Sequence, residues 1–137
     1  MTAQLLLRLK NYSTPLNIAI LIVRVYTSVM MLTHGWPKLL RLIDGNMKFR
    51  DPIGLGSEVS LILVIFAEVI CSILIIIGLG TRLATIPLVI TMLVVLFIAH
   101  GGDPISEHLN VVAYIAAYIV LFVTGSGKYS LDYRLFR

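Results

Sequence analysis

The chain has 137 residues, 58% of them hydrophobic and 13% charged, whereas soluble domains run at about 45–50% and about 25%. So apolar a chain could not cover its own core with polar surface, which excludes an ordinary soluble domain and points to a membrane protein. The formal charge of +4 does not indicate a nucleic-acid partner, because the basic residues are scattered through loops and termini, as beside a bilayer, and do not line one soluble face.

In chain order, apolar runs predict four spans near 16–35, 59–79, 83–100 and 108–124. Each approaches the roughly 20 residues an α-helix needs to cross about 30 Å of hydrocarbon. Lipid offers the backbone no hydrogen-bond partners, and the runs lack the alternation of barrel strands, so they read as helices. The expectation is an all-α membrane protein, residues 1–137 forming one four-helix transmembrane bundle with antiparallel neighbours. The first run is not a signal peptide: it is too long, carries Arg24 in its middle and is followed by Thr33-His34-Gly35-Trp36-Pro37, not by a small-x-small cleavage site. Gly35 to Glu58 mixes Trp36, Leu39, Leu40 and Phe49 with Lys38, Arg41, Lys48 and Arg50, the pattern of an interfacial segment at the headgroup level.

The second and third spans are joined by Gly80-Thr81-Arg82, and the third and fourth by Gly101-Gly102-Asp103-Pro104; both connections force neighbouring helices to run antiparallel. The side holding both termini has six Lys and Arg residues (Arg8, Lys10, Arg82, Lys128, Arg134, Arg137) against four in the first loop. That balance favours cytoplasmic termini.

Placed at 100° per residue, Arg24, Thr27, Ser28, Met31, Gly35 and Lys38 share one sector of the first helix, with His34 at its edge. Glu68, Cys71, Ser72 and Ile75 share one on the second, and Glu107, Asn110, Tyr114 and Tyr118 one on the fourth. Polar stripes facing lipid are penalised, so the three should converge inside the bundle. Arg24 lies about 12 Å into the first helix and Glu68 about 16 Å from the opposing end of the second, at 1.5 Å per residue. An arginine must keep its charge, so a structural ion pair Arg24–Glu68 is expected, either as a simple clamp between helices or as a clamp that also borders a ligand site.

His34 and Lys38 read as a membrane anchor or as groups meeting a headgroup or quinone ring at the mouth of the bundle. His100, Asp103, Glu107 and His108 crowd the third loop, but no spacing puts three or four ligands on one helix face, so no metal is expected. The lone Cys71 excludes an intrachain disulfide and a dithiol pair.

The run Leu21-Ile22-Val23-Arg24-Val25, then His34-Gly35-x-x-Lys38, Ala67-Glu68, Gly78-Leu79-Gly80-Thr81-Arg82-Leu83-Ala84, Glu107, and Gly125-Ser126-Gly127-Lys128-Tyr129-Ser130-Leu131-Asp132, taken in this order, resembles the DoxX family from residue 17 to residue 132. Cys71-Ser72 departs from it, since glycine is more frequent there. The resemblance implies a small bacterial inner-membrane protein of four helices. Relatives of that family include the membrane subunit of thiosulfate:quinone oxidoreductase and a member that assembles with redox-stress enzymes.

The reading is therefore a quinone-binding or redox-complex membrane subunit, at most a subunit of a quinone-linked oxidoreductase. No covalent cofactor is expected; a bound quinone is the one the reading calls for. The alternatives are a non-catalytic membrane scaffold or assembly partner and, less favoured, a small transporter. Arg24, His34, Lys38, Glu68, Glu107, Tyr114 and Tyr118 are the candidate quinone or lipid ligands; lipid, a redox protein or further copies of the chain are the expected partners.

Overall fold

A computed structural model describes residues 11–49, 51, 53–99, 102 and 104–136. Its elements are α1 (Thr14–Ile43), α2 (Ser57–Ile77), α3 (Thr81–Ile98) and α4 (Leu109–Thr124), followed by a five-residue helix α5 (Leu131–Leu135). The first three are long and apolar enough to cross a membrane, and α4 is an apolar helix of 16 residues. In the four-membered ring they form, α1 packs on α2 and α4, and α3 packs on the same two. The polar stripes of α1 and α2 are wound into the ring, while of the α4 stripe Tyr118 is buried, Tyr114 half-buried and Asn110 exposed; Asn17, Arg24, Thr27, Ser28, Glu68, Ser72 and Thr85 are buried while Ile22, Ile62, Phe66, Ile90, Phe97 and Val123 face outward. This inverts the distribution of a water-soluble protein and is what lipid as solvent selects. The chain is a helical membrane bundle.

One boundary differs from expectation. Helix α1 does not stop at Gly35 but runs through Pro37 to Ile43, so residues 35–43 of the supposed interfacial segment are helical. Pro37 cannot donate to the carbonyl one turn back, at roughly 3 kcal/mol. Beyond it, Leu39 and Leu42 pack on Leu61, Ile65 and Val69 of α2. Burying such side chains is worth up to about 1.5–3 kcal/mol each, enough to offset the proline. The rest of the connection is a small knot. The Ser57 hydroxyl accepts from Phe49 N at 2.7 Å and lies 2.8 Å from the carbonyls of Met47 and Phe49, while Asp51 accepts from Leu55 N, Gly56 N and Ser60 Oγ at 2.7–3.0 Å. Those amides hold the Asp51 carboxyl below its ordinary range, Gly56 contributing most.

The α2–α3 turn uses Gly78 and Gly80 at φ +77° and +58°. At Gly78 a side chain is excluded twice, by the left-handed backbone and by Ser130, which packs against its Cα. Within α2, Phe66–Cys71 widens into a π-helical turn, a distortion found often at functional positions.

Candidate functional site

Arg24 and Glu68, both buried, do not meet. Arg24 turns towards the C-terminal segment, where its Nη1 donates to the carbonyl of Ser126 and its Nη2 to that of Tyr129 at 2.6 Å. Asp132 supplies its nearby countercharge. Glu68 instead accepts from Lys38 Nζ at 2.6 Å. The expected Arg24–Glu68 pair is therefore corrected, and the reason is register. Gly35 of α1 lies against Glu68, so Arg24, eleven residues earlier (35 − 24), sits about 16 Å further along the axis, level with the end of α2. Arg24 thus stands apart from Glu68 and Lys38.

What Arg24 fastens is a latch. Asp132 accepts from Gly80 N at 2.8 Å, from Thr81 N at 3.4 Å and from Ser126 Oγ at 3.2 Å, and its own amide donates to the Gly78 carbonyl at 3.0 Å. Ser130 caps α5 by accepting from Tyr133 N at 3.2 Å, the role serine favours at a helix start. Asn17, two helical turns before Arg24, accepts from Lys128 N at 3.0 Å. The motif residues 125–132 thus bind the α2–α3 turn and α1 together. Sequence reading gave Asn17 and Asp132 no role; Asn17 lies in the same inner sector as Arg24, and a serine followed by an acidic residue in the first turn is a helix-start signal.

The second assembly lies toward the other end. The π-helical turn sets Glu68 against Gly35, and Lys38, one turn past His34, closes the ion pair; its side chain is 25% exposed and that of Glu68 3%. Beside it, between α1 and α4, opens a groove of about 340 Å³ lined by Tyr26, Thr27, Met30 and His34 on one wall and Asn110, Ala113, Tyr114 and Ala117 on the other. The small alanines are what let the walls part. His34 Nδ1 lies 3.0 Å from the Met30 carbonyl and so carries the proton, leaving Nε2 without a partner among the described residues. The His34 ring meets Tyr114 edge to face, centroids 5.9 Å apart, and Tyr114 stacks on Tyr118 at 6.4 Å. Behind the groove the Tyr118 hydroxyl faces Ser28 and Ser72, all three buried and none with a closed hydrogen bond among the described residues. A buried polar group left so is unusual.

Of the expected ligand set, His34, Lys38, Glu68, Tyr114 and Tyr118 come together here and Arg24 does not. Glu107 falls in the short turn Ile105–His108, and its side chain, like His100 and Asp103, lies outside the described residues. Despite the departure from glycine, Cys71 and Ser72 are buried in the contact.

Comparison with known proteins agrees with this architecture. The DoxX family model matches residues 19–101. The inner membrane protein YphA of Escherichia coli (strain K12) is 25% identical over 138 residues, an alignment covering 93% of this chain and 98% of that protein. No solved structure matches.

Proposed function

The chain belongs to the DoxX family, and from that premise we propose that it is an inner-membrane subunit whose α1–α4 groove binds the ring of a lipid-soluble quinone. The observation carrying this reading is the groove itself: it opens sideways between two apolar helices, and His34, Asn110 and Tyr114 place polar groups on its walls. Its volume of about 340 Å³ falls at the small end of ligand pockets, roughly 300–1,000 Å³, which suits a single ring whose isoprenoid tail stays in lipid. When bound, a quinone supplies two-electron, two-proton chemistry. The chain's own groups would orient the ring between Tyr26 and Tyr114, donate hydrogen bonds to its carbonyls from Tyr114 and Asn110, and exchange protons at His34 Nε2. The Lys38–Glu68 pair would lie one helical turn away, and the electron donor would be a separate protein.

A second reading, a scaffold or assembly partner, draws support from the latch, which holds the buried arginine on two backbone carbonyls. The two are separated by purifying the protein in mild detergent, extracting its lipids and measuring co-purifying quinones and proteins by mass spectrometry. The expected result is quinone retained by the wild type and reduced at least tenfold in His34→Ala, with the bundle still folded. No quinone in the wild type, with a stoichiometric protein partner instead, overturns the quinone reading.

A further inference from the structure

The described charges are divided unequally between the two ends of the bundle. The end carrying the α1–α2 knot has Lys38, Arg41 and Lys48 against Asp44, Asp51, Glu58 and the paired Glu68. At the latch end the surface cations are Arg82, Lys128 and Arg134, and the one described acid, Asp132, is buried and turned inward onto Gly80, Thr81 and Ser126. Its charge is answered by the Arg24 guanidinium, so it does not offset the surface cations.

Two of these cations frame a cavity. A cleft of about 300 Å³ lies between the last turn of α2 and the C-terminal segment, bounded by Ile77, Tyr129, Ser130 and Leu131 with Lys128 and Arg134 at its sides. Both cations are exposed, and neither side chain has a hydrogen-bond or ion-pair partner among the described residues. The apolar wall is exposed too, Ile77 by 41% and Leu131 by 37%. The frame is rigid, because Ser130 Oγ is fixed on the Gly127 carbonyl at 2.7 Å and the Tyr129 carbonyl on Arg24 at 2.6 Å.

Two cations beside an apolar wall, at the end of membrane helices, match the chemistry of a phosphodiester joined to an acyl chain. We infer that this cleft binds the headgroup phosphate of an anionic phospholipid, with Lys128 and Arg134 on the phosphate and Ile77 and Leu131 against the first methylenes of the lipid. Tyr129 stands at the headgroup level, where tyrosine is favoured. The site is separate from the α1–α4 groove and does not depend on what that groove holds. Because Tyr129 both walls the cleft and is a ligand of Arg24, lipid bound here also braces the latch.

The test uses the full chain in mild detergent, titrated with dioleoylphosphatidylglycerol, dioleoylphosphatidylcholine or inorganic phosphate and followed by native mass spectrometry and thermal unfolding. Wild type should hold phosphatidylglycerol more tightly than phosphatidylcholine and melt higher with it. The Lys128→Gln/Arg134→Gln double variant should lose about thirtyfold in phosphatidylglycerol affinity, at roughly fivefold per cation. Lys48→Gln, which removes one charge at the other end, should bind as wild type does. Equal binding of the two lipids overturns the inference, as does an equal loss in Lys48→Gln, which would mean diffuse charge. Inorganic phosphate matching phosphatidylglycerol would show a free-anion site and overturn it as well.

Discussion

Gly35 lies so close to Glu68 that a Cβ on the glycine would stand 2.8 Å from the Cβ of Glu68 and 2.9 Å from Cγ2 of Val69. The contact sets the register of α1 on α2 and brings Lys38 within reach of the carboxylate. Gly35→Ala should therefore lower thermal stability in detergent. Alanine is worth about 1 kcal/mol over glycine inside a helix, but overpacking costs about 1–3 kcal/mol and here meets backbone as well as side chain. A variant as stable as wild type would mean that the helices are not in contact at this point.

The ion-pair assignment makes a differential prediction. In double-mutant cycles of Lys38→Met and Glu68→Gln, the pair should show a coupling of about 1 kcal/mol or more, whereas Arg24→Leu and Glu68→Gln should add within about 0.5 kcal/mol, as distant sites do. Coupling between Arg24 and Glu68 would restore the arrangement rejected above.

Arg24→Lys should be nearly as damaging as Arg24→Leu. The guanidinium reaches two carbonyls with separate nitrogens, a fork that an ammonium cannot reproduce, and charge-assisted hydrogen bonds are worth about 1.5–3 kcal/mol each. Limited proteolysis should then cut the segment after Thr124 much faster. Asp132→Asn should expose the same segment, since the Gly80 amide and its neighbours lose their charged acceptor.

Asp51 yields a pH dependence. Its carboxyl is held below the ordinary range by the amides of Gly56 and Leu55 and the Ser60 hydroxyl, so the ionised form is favoured in the folded state. Its contribution to stability is full above the unfolded value, about 3.9, and disappears as pH falls through the lower folded value. Asp51→Asn should flatten this acid limb of a melting-temperature profile. An unchanged limb would mean that the knot is not held by this carboxylate.

The polar stripes were legible because a helix repeats its faces every 3.6 residues: Arg24, Thr27, Ser28, Met31 and Gly35 stand out at that spacing, and all are buried. What joins them was not. The two terminal nitrogens of Arg24 are taken up by the carbonyls of Ser126 and Tyr129, and a backbone carbonyl has no signature in a side-chain sequence. The length of α1 was hidden because Pro37 signals a stop, and only packing of Leu39 and Leu42 on α2 carries the helix past it. Lys38 was visible in the inner sector, yet its pairing with Glu68 depended on that same extension. The groove was legible only as residues: His34 and Tyr114 were candidates, but that they face each other across α1 and α4 is a matter of tertiary geometry.

The arginine latch spans 102 residues of sequence between Arg24 and Ser126, and this has a consequence for biogenesis. At about 5–20 residues per second, Arg24 is synthesised roughly 5–20 s before the carbonyls that will solvate it. During that interval α1 carries a permanent charge without its final partners, at a cost of about 2.5–3.5 kcal/mol for an arginine at membrane depth. Arrival of residues 125–132 lets the charge settle into the bundle, which ties the settling of α1 to synthesis of that distant segment.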